Sequence, residues 1–137
     1  MPNLKIHPQA DEGRIVEVTP QSAGWTYVGF DLWKLKPGQK AQGGDKGREV
    51  CLVFISGKGQ VTAGVQDFGT LGGRSSPFEG KPWSVYVPAG VTWSVTAGTD
   101  VTLPCAQHRA RASCRPGSSA PMVCIRKHAA RVPMCGM

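Results

Sequence analysis

With 137 residues, 40% of them hydrophobic, the chain has enough length for one domain with a sizeable apolar core, and no run of 18 apolar residues exists to make a membrane-spanning helix. The net charge of +7 is unevenly spread: residues 1–103 carry ten Lys and Arg against all nine Asp and Glu, whereas residues 104–137 carry six against none. The body is therefore close to neutral and gives no reason to expect nucleic acid as a partner.

The 18 Gly and 11 Pro argue for many turns and short strands. The opening Met1-Pro2-Asn3-Leu4-Lys5 lacks the apolar stretch of a secretory signal, so the expected compartment is the cytoplasm. Ile15, Val16 and Val18 begin the strand-like part. From Trp25 to Leu35, Tyr27, Gly29, Asp31 and Lys34 interleave with larger apolar residues, roughly the period-two pattern of a half-buried strand. Lys36-Pro37-Gly38 ends it with turn chemistry. Val50-Cys51-Leu52-Val53-Phe54-Ile55 is continuously apolar and predicts a strand covered on both faces. Gly57-Lys58-Gly59 turns the chain into Gln60-Val61-Thr62-Ala63. Trp83 to Val87 and Thr92 to Thr96 are two further strands around the turn Pro88-Ala89-Gly90. No amphipathic helix of ten residues is present, so the expected fold is all-β, a jelly roll or β-sandwich.

After Leu103 the pattern stops. Residues 104–137 hold no aromatic residue and no acid, and Arg, Ala, Pro, Ser and Cys dominate. Such a composition buries too little apolar surface to offset the entropy of ordering, and it predicts a disordered basic tail. The expected division is thus a domain over 1–103 and a tail over 104–137.

Candidate residues are few. Cys51 is the lone cysteine of the body, sits in an apolar run, and is expected to be a reduced, buried thiol. Only His7 offers a base, and its place near the terminus predicts a solvent-exposed role. Trp25, Trp33, Trp83 and Trp93 suit either a sugar pocket or core packing, the second being commoner for aromatics on strands. In the tail, Cys105, Cys114, Cys124 and Cys135 with His108 and His128 invite a zinc reading, but eight to ten residues separate successive cysteines and no Cys-x-x-Cys pair exists.

Several separated blocks resemble the 5-deoxy-glucuronate isomerase family. They are Ser22-Ala23-Gly24-Trp25-Thr26-Tyr27-Val28-Gly29-Phe30, Arg48-Glu49-Val50-Cys51-Leu52-Val53 and Val85-Tyr86-Val87-Pro88-Ala89-Gly90, with Asp67-Phe68-Gly69 before Phe78-Glu79-Gly80. The likeness covers most of residues 10–103 and implies the first barrel of a two-barrel cupin of inositol catabolism. The family interconverts an aldehyde sugar acid and its keto isomer, which needs a Lewis acid on oxygen and a base that moves a proton between carbons. A divalent metal and a sugar-acid substrate are implied for the intact family, with the His and Glu ligands in the second barrel. In this chain the segment from Pro37-Gly38 to Gly57 retains Glu49 but no histidine, and Trp93 follows Pro88-Ala89-Gly90-Val91-Thr92 where a ligand histidine stands in metal-dependent cupins. Glu49 alone holds no metal and is expected to be a surface or hydrogen-bonded strand residue. The resemblance therefore assigns no catalytic, cofactor-binding or metal-binding residue here, and the chain alone is expected to be inactive.

The genetic code gives an account of the tail. When each tail codon is read one nucleotide early, Leu103 through Pro116 can encode Ala-Val-Cys-Ser-Ala-Pro-Gly, one open position, then Gly-Lys-Leu-Pro-Ala-Arg. The restored peptide resembles the family's own continuation, which implies a frameshift near Leu103 and a truncated product. Two other readings stay open. One is a stand-alone, non-catalytic cupin module that binds a small sugar acid or a protein partner, and a homo-oligomer is compatible with it. The other is an adaptor that works through its basic tail.

Overall fold

The computed structural model describes residues 5–44, 46–109 and 124–127. Two antiparallel sheets form a sandwich, as the turn-rich composition predicts. The strands are β1 (Gly13–Val18), β2 (Val28–Leu35), β3 (Lys40–Gly43), β4 (Arg48–Phe54) and β5 (Gly57–Ala63). They continue as β6 (Gln66–Arg74), β7 (Trp83–Val87), β8 (Trp93–Ala97), β9 (Val101–Arg109) and β10 (Cys124–Lys127). One sheet has six strands in the order β1-β2-β9-β4-β7-β10, and the other has four in the order β3-β8-β5-β6.

Period-two alternation decides which side chains fill the space between the sheets. Leu52, Phe54, Val85, Val87, Val101 and Leu103 of the first sheet meet Ala41, Val61, Ala63, Val95 and Ala97 of the second in one core. Phe54, Leu52 and Leu103 are among the largest side chains with no exposure, and burial of each contributes about 1.5–3 kcal/mol. The turns follow the expected chemistry. Gln39 N–H donates to Lys36 O across Lys36-Pro37-Gly38, and Val91 N–H donates to Pro88 O across Pro88-Ala89-Gly90. Gly38 and Gly90 supply the positive φ that such turns require at their third residue.

Three local expectations need correction. The strand predicted from Trp25 begins at Val28, because Thr19 caps a one-turn helix α1 (Pro20–Ala23) just before it. The Thr19 hydroxyl accepts from Ser22 N–H, the Ser22 hydroxyl accepts from Thr19 N–H, and Gly24 closes the turn in the left-handed region. The apolar run of β4 is fully buried on one face only: Val50, Leu52 and Phe54 are buried, whereas Cys51 and Val53 are partly exposed. Cys51 is thus not the buried thiol expected of it. Finally, β9 crosses the boundary drawn at Leu103 and runs to Arg109. Val101, Leu103 and Cys105 share the inward register, and Cys105 is small and apolar enough to continue that row with no exposure. The expected tail otherwise falls largely outside the described residues, including Cys114, His128 and Cys135.

Candidate functional site

The inward residues of β2 and β9 meet the start of β4 at one open end of the sandwich, where a cleft of about 370 Å³ lies between the sheets. Asp31, Trp33, Arg48, Gln107 and Trp93 line it, with Arg14 and Glu17 from β1. Asp31 is 8% exposed, a rare place for a carboxylate unless it is partnered. Gln107 supplies the partner: its amide N–H donates to Asp31 Oδ2 at 2.7 Å, and its Oε1 accepts from Arg48 Nη1 at 3.4 Å. Gly29, facing Arg48 on β2, leaves room for this guanidinium, because a Cβ there would stand 3.1 Å from Arg48 Nη1.

Burial pushes the Asp31 carboxyl above the usual range, and the charge of Glu17 adds to the effect. The Arg14 and Arg48 charges and the Gln107 hydrogen bond offset part of it. Arg14 is engaged twice, pairing with Glu17 at 2.9 Å and lying over the Trp33 ring at 5.8 Å. The Trp33 indole N–H is buried and finds no acceptor among the described residues. The cleft thus offers two aromatic residues, two guanidinium groups, a poorly solvated carboxyl and an amide. That set suits a small polyhydroxylated anion, with hydroxyls directed to Asp31 and Gln107 and the charge to arginine.

The donors do not suit a metal ion. Gly43 and Gly44 contribute no side-chain ligand atoms, and Trp93, 3% exposed, packs its indole against Gly43. A Cβ on Gly43 would lie 2.9 Å from Trp93 Cζ2, so the absence of a side chain at one position makes space for the ring at the other. Among the described residues no three His, Cys, Asp or Glu side chains come together as a metal would require.

Of the residues singled out by sequence, Trp33 and Trp93 reach the cleft. Trp83 packs on the core elsewhere, Trp25 is 48% exposed, and His7 is exposed. Glu49 faces outward. Its Oε2 accepts from the Tyr86 hydroxyl at 2.6 Å and its Oε1 lies 3.4 Å from His108 Nδ1, which makes it the hydrogen-bonded strand residue expected. Cys105 belongs to the core rather than to a cysteine cluster, and burial, with Asp31 and Cys51 nearby, pushes its thiol far up. Asp31 and Gln107 were missed. Asp31 shares strand parity with Trp33 and Leu35, a polar residue in an inward register, and this was the available signal.

The family model for the KduI/IolB family matches residues 4–129. The chain belongs to the KduI/IolB family. A KduI/IolB relative, the 5-deoxy-glucuronate isomerase of Geobacillus kaustophilus, is 42% identical over 99 residues, which are 72% of this chain and 36% of the relative. Among solved structures, an IolB-like protein from Salmonella typhimurium superposes with a TM-score of 0.78 at 36% identity, covering 90% of this chain and 44% of that one. A cupin protein from Bacteroides fragilis, 18% identical with a TM-score of 0.53, covers 87% of this chain and 93% of its own and shows the cupin fold alone. This KduI/IolB chain therefore spans roughly a third of the curated relative and under half of the IolB-like structure.

Proposed function

We propose that this chain is the amino-terminal, non-catalytic barrel of a 5-deoxy-glucuronate isomerase, an enzyme that converts 5-deoxy-D-glucuronate to 5-dehydro-2-deoxy-D-gluconate in myo-inositol degradation. On this reading the divalent metal and the proton-transferring base belong to the part of the relatives that this chain does not match. The observation that carries it is Trp93, seated against Gly43 in the position where the resemblance places a ligand histidine in metal-dependent cupins. The chain from residue 104 onward is read as the product of a shifted frame, so that 1–103 is the inherited domain. The activity is that of an aldose–ketose type isomerase of the cytoplasm, and the isolated chain lacks it.

The test is an assay of the purified chain for interconversion of the aldehyde and keto sugar acids with added Mn²⁺ or Zn²⁺. No turnover is expected, and metal-dependent turnover would overturn the assignment. The nucleotide sequence across codon 103 tests the frame independently: a histidine-rich cupin motif is expected downstream in the shifted frame.

A second reading is favoured by the cleft itself. Arg48, Asp31, Gln107 and Trp33 form a polar, aromatic-walled recess of a size that suits a monosaccharide acid. In this reading the barrel binds a small sugar acid without transforming it. D-glucuronate is expected to raise the melting temperature of the chain, and Arg48→Ala is expected to abolish the rise.

A further inference from the structure

We propose that the recess where β4 begins and β9 ends binds a phosphomonoester, with the phosphate held by Arg48 and Arg109 and the attached ring resting on Trp25. The recess measures about 440 Å³ and lies beside the cleft, sharing only Gln21 and Arg48 with it. Arg48 and Arg109 are register partners in the β4–β9 ladder. Opposed residues of an antiparallel pair put their side chains on one face, with Cβ atoms about 5 Å apart, and like charges so placed repel. Arg48 continues the inward register of Val50 and Leu52, and Arg109 that of Leu103 and Cys105. Both cations therefore stand at the open end of the space between the sheets.

Nothing in the fold neutralises them there. The ion pairs among the described residues join Arg14 to Glu17 and His108 to Glu49, and neither includes Arg48 or Arg109. Arg48 Nη1 donates to the neutral Gln107 amide at 3.4 Å, a long contact. The buried Asp31 lies on the cleft side of Arg48, where Gln107 holds it. No acidic side chain lines the recess itself. Two guanidinium groups without an acid favour a doubly charged anion, and phosphate oxygens match the forked N–H donors of arginine. The cleft sets Arg14 and Arg48 against Glu17 and Asp31, so it has no such excess of positive charge.

Trp25 supplies the other half of the site. It is 48% exposed, a large share for a side chain that is usually well covered. Its backbone is nevertheless fixed. Trp25 N–H donates to Pro20 O at 2.8 Å, directly after the left-handed Gly24 that closes α1. Two residues on, Tyr27 O accepts from Arg109 N–H at 2.9 Å, which ties the indole segment to the strand that carries the second cation. An exposed indole beside an anion site suits the apolar face of a sugar ring or the flat face of a base, and Gln21 and Thr26 can bond hydroxyl groups. The site does not rest on the isomerase assignment. On the shifted-frame reading Arg109 is peculiar to this chain, and the site with it.

The experiment is isothermal titration of the full chain at a constant ionic strength of about 0.1 M, which keeps screening the same in every arm. The ligands are D-glucose 6-phosphate and adenosine 5′-monophosphate, with D-glucose and adenosine as uncharged controls. At least one ester is expected to bind with a Kd of about 1 mM or lower, and the tighter of the two names the ring. The uncharged controls should give no heat. Arg109→Ala should weaken the ester at least tenfold, and Arg109→Lys should weaken it less, because lysine keeps the charge and loses the fork. Trp25→Ala should weaken the ester more than it weakens inorganic phosphate. Arg109→Ala should leave the response to D-glucuronate as it is in the parent, since Arg109 does not line the cleft, and this separates the recess from the sugar-acid reading. Arg109→Gln with an unchanged circular dichroism spectrum gives the same test if the alanine variant folds poorly. No heat from either ester at about 10 mM, or binding that both Arg109→Ala and Trp25→Ala leave unchanged, would overturn the proposal.

Discussion

The indole of Trp93 lies so close to Gly43 that a single methyl group at the glycine would stand 2.9 Å from ring atom Cζ2. The two residues are opposed across β3 and β8 and act as one packing unit. Gly43→Ala should therefore destabilise the fold by about 1–3 kcal/mol through overpacking. Trp93→Ala should cost about 3–5 kcal/mol through loss of a buried ring. The double variant should be less unstable than the two losses combined, because the added methyl group enters the space the ring has left. Urea unfolding of the four proteins checks this, and strict additivity would contradict the packing argument.

Asp31 makes stability depend on pH in a direction opposite to that of most surface carboxylates. Its pKa is raised on folding, chiefly by burial, so the folded state holds the proton more tightly than the unfolded chain does. Its contribution is most favourable below the ordinary value of 3.8 and is lost as pH rises through the raised folded value. Asp31→Asn keeps an acceptor for Gln107 and removes the poorly solvated charge. The variant should be more stable than the parent at pH 7, and the gain should vanish below pH ~3, where both side chains are neutral. Melting temperatures across pH decide the matter. A less stable Asn variant at neutral pH would mean that attraction to Arg14 and Arg48 outweighs burial.

The sandwich was legible in the sequence because its core rows are apolar away from the cleft and its turns carry Pro and Gly where turn geometry demands them. Val50, Leu52 and Phe54 announced a core strand, and Lys36-Pro37-Gly38 announced the end of the earlier strand that closes at Leu35. Half of the cleft was legible too, since Trp33 and Trp93 were visible as aromatics on strands. Asp31 was not, because one acid in an alternating strand looks like a solvent-facing residue until the register of its neighbours is known. Gln107 lay past the point at which composition changes, where strand pairing rather than composition sets the fold. There β9 is held between β2 and β4, and its pairing with both carries the ladder through Arg109. Cys105 is small and apolar enough to continue the inward row of Val101 and Leu103, which is why the strand persists where the composition changes.

Cys105 gives that argument a direct check. Its side chain is fully buried and its thiol is held neutral by burial and by the nearby Asp31 and Cys51. Cys105→Val should be tolerated within about 1.5 kcal/mol as a near volume-conserving change. Cys105→Ser should cost about 1–3 kcal/mol, because a hydroxyl enters an apolar layer. In native protein at pH 8, iodoacetamide should leave the Cys105 peptide unmodified and should label it fully after denaturation, as read by mass spectrometry. Rapid native labelling would show that β9 does not close over this position.

Gly57 sits at the start of β5, where the chain leaves β4, and its φ of +82° lies in the left-handed region. A Cβ there would run into the backbone carbonyl oxygen of Asp100, a group that cannot swing aside as a side chain would. Two costs coincide, the left-handed backbone and the backbone clash, and neither is relieved by repacking. The neighbouring bonds add to the constraint: Ile55 N–H donates to Thr102 O, Thr102 N–H donates to Ser56 O, and Lys58 N–H donates to the Thr99 hydroxyl. These bonds tie the β4–β5 connection to the segment that enters β9. Gly57→Ala should therefore lower stability by about 2–4 kcal/mol, more than an exposed Gly→Ala change at a compatible angle. Gly13, also at positive φ but with nothing within 4 Å of its would-be Cβ, isolates the backbone contribution, and Gly13→Ala should cost about 1 kcal/mol. Equal losses at the two positions would show that the Asp100 carbonyl moves away freely and that the junction is not rigid.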